Sequence, residues 1–293
     1  MYKYYMPQKI HSNYQGINNL IRIYDKLLSI DEDIIVLNFK NTIYFAGEMI
    51  ALFGAIAYSL HNKRNKKLYI ESCSADVEEL FKSTGFCEVI NNMENGSIKE
   101  YAIKFEHFEN MLKSDDKECF NNYLNNELSP KLDLEEEEIA YILSYLSELF
   151  VNARTHGNTN EIFCCGQKYN DINKIRFMIV DLGIGIPSNV RKIEISLDDK
   201  DCIKWSLEKG NTTKEEDLGG LGLSSIIDFI KEHNGDLSII SLKGEYNYKD
   251  SVLEDILYEF KGTIVYIDFD FTMLNNVDQM FKLIKKDKIN WNF

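Results

Sequence analysis

The chain has 293 residues, and 47 acidic against 33 basic side chains give it a net charge of −14. With 44% hydrophobic and 27% charged residues its composition is globular and not disordered, and its length suits one large domain or two smaller ones. The acidic balance argues against a dedicated nucleic-acid binder, which needs a basic face to offset phosphate charge. No apolar run approaches the roughly 20 residues that span a bilayer; the longest, Met49–Leu60, is interrupted by Gly54 and Ser59. The N-terminus lacks the apolar stretch of a signal peptide, so the expected location is cytoplasmic, with no membrane and no nucleic acid as partners. The six cysteines (Cys73, Cys87, Cys119, Cys164, Cys165 and Cys202) contain no C-x-x-C pair. They read as small core residues, with the adjacent Cys164 and Cys165 pointing to opposite faces of a strand.

In chain order, Gly16–Ser29 has the apolar spacing of a helix, Ile34–Phe39 is a buried-strand run, and Glu48–Leu60 is a second helix. Lys67–Glu71 is a strand, Asp76–Ser83 a short helix stopping near Gly85, and Phe86–Ile90 a further strand. This alternation predicts a small α/β layer over residues 1–110. A polar connector over 111–131, with room for a helix, leads to a long helix over Leu132–His156. Its acidic opening sits at the positive end of the helix dipole. Strands are predicted at Glu161–Lys168, Lys174–Asp181, Asp236–Leu242 and Thr263–Phe271, with a helix at Leu223–His233. The tail over 274–293 reads as helical.

Three motifs carry chemistry. Glu148, Asn152 and His156 are spaced four apart, on one side of the long helix. A carboxylate beside a carboxamide can hold hydrated magnesium or position a water or hydroxyl, and the plain alternative is a solvated polar stripe. Asp181-Leu-Gly183-Ile-Gly185 follows a strand directly. An acid there can accept from the exocyclic amine of a purine, with glycines admitting a flat ring; a structural turn is the alternative. Gly219-Gly220-Leu221-Gly222-Leu223 opens a helix, where free N–H groups and the dipole make an anion site or simply start the helix. Neither glycine run fits a P-loop or a dinucleotide fingerprint. His156 could touch phosphate or assist the base, or end its helix with Gly157 as cap; the helix end is the favoured role.

In order, spacing and context, the three motifs resemble the successive boxes of the GHKL ATP-binding family, which includes gyrase B, histidine kinases, MutL and anti-sigma-factor serine kinases. Lys209–Lys214 resembles the mobile ATP lid, and Gly262-Thr263-Ile-Val-Tyr-Ile the closing strand. The resemblance spans residues 132–273 and implies a Bergerat-type α/β sandwich, a mixed sheet covered by helices, that binds ATP and Mg²⁺. It implies Glu148 as the catalytic carboxylate and Asn152 as magnesium ligand. Asp181 would accept from the adenine amine, Gly183 and Gly185 would shape the adenine side, and Thr263 would support it. Gly220, Leu221, Gly222 and Leu223 would offer N–H groups to phosphates, and Thr213 and Lys214 would belong to the lid.

No upstream histidine (His11, His61 or His107) stands in a phosphoacceptor context, which disfavours a self-phosphorylating histidine kinase. The N-terminal pattern resembles a STAS domain, the partner of GHKL serine kinases. At the expected phosphoacceptor turn it reads Phe45-Ala46-Gly47-Glu48, without a hydroxyl; Thr42 and Ser59 are the nearest alternatives, and Glu48 reads as a first-turn acid. Together these imply an ATPase or protein serine/threonine kinase in a regulatory switch, with a protein partner reached through the STAS-like layer or the lid at about Ser188–Leu218. The family also admits a homodimer. The alternative is a nucleotide-gated interaction protein with little or no turnover.

Overall fold

In a computed structural model, residues 1–88, 101–109, 116–132, 134, 136–211 and 223–270 are described. The first part of the chain alternates strands β1 (Tyr2–Tyr5), β2 (Lys9–Ile10), β3 (Ile34–Asn38), β4 (Tyr44–Phe45) and β5 (Lys67–Glu71) with helices α1 (Tyr14–Leu28), α2 (Met49–Arg64) and α3 (Ala75–Ser83). Strands β1, β3 and β5 form a parallel sheet in that order, and β2 pairs with β4. Local chemistry sets the helix ends. The side chain of Asn13 accepts from the Gly16 N–H to cap α1, Ser74 caps α3, and Asn65 takes the left-handed conformation that stops α2.

The second part holds β6 (Ala102–Phe108), α4 (Asp116–Tyr123), a long α5 (Glu136–Gly157), β7 (Ile162–Tyr169), β8 (Lys174–Asp181), α6 (Ile186–Val190), α7 (Asp199–Leu207), α8 (Leu223–Glu232), β9 (Asp236–Asn247) and β10 (Val252–Asp270). Its five strands pair antiparallel in the order β6-β7-β8-β10-β9. The fold is mixed α/β, as the sequence predicts, and among the described residues no helix is long and apolar enough to cross a membrane.

Alternation along the strands gives this sheet two buried faces. Phe177 and Ile179 of β8 face a core made with Phe120, Leu146, Phe150, Phe229 and Ile230 of α4, α5 and α8. Met178 and Val180 face the other way, into a core shared with α1, α2 and the small parallel sheet. Helix α2 explains how one element can serve two neighbours. Met49 to Ile56 are all buried, an apolar surface on every side, as a helix between two layers requires. Gly54 is what lets α2 approach β6: a Cβ there would stand 2.5 Å from the Phe105 ring. Cys164 and Cys165 enter the two opposite cores, and all six thiols are free.

Several expectations are corrected. Phe86–Glu88 forms a 3₁₀ turn after Gly85, whose φ is +73°, and not the start of a strand; 89–90 lie outside the described residues. The sheet begins upstream of the boundary drawn at 110, because β6 pairs with β7. The connector holds the helix for which the sequence left room, α4, and it is packed: Phe120, Leu124 and Leu128 are fully buried in the second core. The region given to the lid, about Ser188–Leu218, contains the end of α6 and the whole of α7, which is capped by the Asp198 side chain accepting from the Asp201 N–H. The expected tail helix lies outside the described residues.

Candidate functional site

The site is built where β8 ends. Lys174–Asp181 is the sheet's central strand, apolar on both faces from Phe177 to Val180 until the carboxyl of Asp181 closes it. Asp181 stands opposite Ile162 of β7 and Thr263 of β10 and is 2% exposed. The turn that follows is fixed by its own backbone. The Gly183 N–H donates to Asp181 Oδ1 at 2.9 Å, and the Ile184 N–H donates to the Gly157 carbonyl at 2.9 Å. The second bond ties the turn to the C-terminal end of α5. Only glycine fits at position 183, because a Cβ would lie 2.1 Å from the Gly157 carbonyl oxygen. Gly262 is held as tightly: its φ is +136°, and a Cβ there would meet the Asp181 carbonyl oxygen at 2.0 Å.

Beside the carboxyl lies a small hydroxyl network. Ser241 of β9 donates to the Gly262 carbonyl at 2.9 Å, accepts from the Ile186 N–H at 2.9 Å, and stands 3.1 Å from the Thr263 hydroxyl. One serine therefore joins β9, β10 and the first residue of α6. Burial pushes the Asp181 carboxyl up to about 7; hydrogen bonds from the Gly183 N–H and Thr263 pull it the other way without restoring an ordinary acid. A group so placed is a hydrogen-bond acceptor whose charge is close to balance at neutral pH.

Helix α5 brings the other polar residues. Glu148, Asn152 and His156 are all half-buried. At about 1.5 Å per residue, Asn152 lies about 7 Å and Glu148 about 13 Å back from Gly157 along the helix axis. The helix end differs in detail from the sequence expectation. Gly157 is still helical, and Asn158 takes the left-handed conformation with φ of 50°. The His156 carbonyl accepts from the Asn189 side chain, which pins α6 to the end of α5.

Asp181, Gly183, Gly185 and Thr263 thus converge at one rim of the sheet, against the end of α5. Glu148 and Asn152 sit further along that helix. Leu223 is half-buried and opens α8. Thr213, Lys214, Gly220, Leu221 and Gly222 lie outside the described residues. Sequence reading missed Ser241 and Asn189, and quoted Gly262 only as the opening of the closing strand. Ser241 had a signal, since a strand register that pairs Thr263 with position 241 puts a hydroxyl beside it; Asn189 had none.

The alternative acceptors are occupied elsewhere. The Thr42 hydroxyl donates to the Pro7 carbonyl, and Ser59 shares a hydrogen with the Tyr24 hydroxyl at 2.6 Å; both residues are buried. The His107 ring stacks on Phe163 at 4.1 Å, and its Nε2 lies 2.7 Å from a Glu161 oxygen. No known family model matches the chain, and no curated protein matches it.

Proposed function

We propose that the chain is a Mg-dependent ATP-binding protein of the GHKL type, with a Bergerat-type sandwich over the five-stranded sheet and a STAS-like N-terminal layer. The observation that carries this reading is the setting of Asp181. A buried carboxyl at the end of a central strand has one oxygen engaged by a backbone N–H and a threonine hydroxyl beside it. That is the acceptor chemistry an exocyclic purine amine needs. The direction of α5 supports the rest. A purine donating to Asp181 would send its phosphates along the helix toward Asn152 and Glu148, with the glycine run before α8 as the remaining anion ligand.

The residues fit the groups this reading requires. Asp181 would accept from the amine, and the Thr263 hydroxyl would hold the ring edge. The Asn152 carboxamide oxygen is a hard ligand suited to magnesium, which would neutralise phosphate charge. Glu148 would take a proton from a water or from a partner's hydroxyl, so the same carboxylate serves an ATPase or a protein kinase.

The test is phosphate release from MgATP beside calorimetric binding, on the wild type and Glu148→Ala. The expected result is turnover reduced by about 10²-fold or more in Glu148→Ala, with affinity for MgATP kept. Binding without turnover in the wild type, unchanged by the substitution, would favour the nucleotide-gated interaction protein.

A further inference from the structure

We propose that the N-terminal layer is a proton-linked cover of the five-stranded sheet: it docks by burying two carboxyl groups, Glu48 and Glu245, in protonated form, so that undocking releases protons. The centre of the seam it closes is apolar. Tyr24 meets Phe260, Tyr58 meets Phe163 and Phe86 meets Phe105, and the sheet contributes Cys165, Met178, Val180 and Ile240 beneath them. Carboxyl groups in such a seam require a reason.

Glu48 comes from the N-terminal side. It stands at the start of α2 and is 0% exposed. One oxygen accepts from the Tyr169 hydroxyl of β7 at 2.8 Å; the other is buried with no hydrogen-bond partner. The groups facing it are Ser12 and Tyr44 from its own layer, and Cys165, Tyr169, Arg176 and Tyr266 from the sheet, with Asp268 and Lys174 behind Arg176. The two cations among them are engaged elsewhere. Arg176 donates to Asp268 at 3.0 Å and lies over the Tyr169 ring, and Lys174 pairs with Asp268 at 2.9 Å. The α2 dipole favours an anion at Glu48, but Glu48 makes no capping bond, and complete burial outweighs the dipole, pushing its carboxyl up.

Glu245 comes from the sheet side. It is 1% exposed on β9, and Asn18 of α1 donates to it at 3.2 Å. Directly across the ladder stands Glu254, which accepts from the Tyr14 hydroxyl of α1. Two carboxylates face each other at a helix contact, and among the described residues neither forms an ion pair with a cation. Burial, with the charge of Glu254 adding to it, raises Glu245 from 4.5 to about 7. So each side of the seam places a carboxyl where the neutral form is favoured, at sites set by different strands and different helices. Both acids ionise readily once exposed, and ionisation opposes redocking.

The test is hydrogen exchange of the α2 amides in the full chain, corrected for the intrinsic rate, between about pH 6 and about pH 8.5. The shift of Glu245 alone predicts an opening population about tenfold larger at the higher pH, and Glu48 adds to it. In the doubly substituted Glu48→Gln, Glu245→Gln chain that increase disappears while docking persists. Should the double variant fail to fold, a carboxyl-carbon NMR titration of the wild type gives the same decision. Glu245 is expected to be protonated at about pH 6, and Glu48 to ionise above the ordinary carboxylate range. Pre-ionised carboxylates, or an unchanged pH slope in the double variant, overturn the proposal.

Discussion

Asp181 and Glu48 stand at opposite ends of the same sheet, on opposite faces, and both carboxyls are buried. Their surroundings differ in one respect that matters. Asp181 is met by aligned donors, the Gly183 N–H and Thr263, on a turn locked to the end of α5. Glu48 accepts at 2.8 Å from one phenol, that of Tyr169, with the Ser12 hydroxyl and its own backbone N–H nearby, and its Oε1 makes no hydrogen bond. The first arrangement is organised around an acceptor and leaves chemistry for a ligand to complete. The second seals an acid between two layers. Burial alone therefore does not distinguish the two carboxyls; the donors around them do.

The sharpest way to break this contrast is Gly183→Ala. The added carbon meets backbone, which cannot swing aside, so a loss of about 3 kcal/mol or more is expected in urea unfolding. The damage should concentrate at the Asp181 rim and leave α2 exchange protection as in the wild type. Equal loss of protection in α2 would show that rim and seam are one unit.

A second approach uses pH, where the sign differs between groups. Asp181 has its folded value raised from 3.8 to about 7, so the stability it contributes is fully present below about pH 4 and is lost as the pH rises through about 7. His233 behaves oppositely. It is 3% exposed, neither ring nitrogen has a hydrogen-bond partner among the described residues, and burial lowers it from 6.5 to about 4. Its contribution is present above about pH 6.5 and lost as the pH falls toward about 4. Urea midpoints across this range should steepen downward with rising pH in His233→Phe and flatten in Asp181→Asn. A His233→Phe curve parallel to the wild type would contradict the burial of the imidazole.

The smallest effect is expected from Thr263→Val. It keeps the shape and removes one hydroxyl from the Ser241 network, at about 1 kcal/mol, and should weaken ATP binding by about fivefold in calorimetry. No change in affinity would remove Thr263 from the proposed purine site.

Much of this rim could be read from the chain itself. The strand Lys174–Asp181 and the strand Lys67–Glu71 have the predicted limits, because apolar runs ending in a charge or a turn define strands sharply. The long helix and its Glu148-Asn152-His156 stripe follow from spacing. What escaped were elements whose reason lies in distant residues. β1, Tyr-Lys-Tyr-Tyr, has little apolar pattern and exists because β3 pairs with it. β6 carries His107 and Glu106 among its apolar residues and is an edge strand. Residues 116–131 look polar, yet Phe120, Leu124 and Leu128 anchor them. Glu48 reads as a first-turn acid; only the docking of the layer onto Tyr169 buries it. Local pattern cannot foresee a seam between two layers.

The most direct measurement of the central claim is calorimetric titration of MgATP into the wild type and Asp181→Asn at neutral pH. Asparagine presents a donor in place of an acceptor oxygen, so the account predicts binding by the wild type and an affinity at least about tenfold weaker in the variant. Equal affinity in the two proteins, or no binding by a folded wild type, would contradict it.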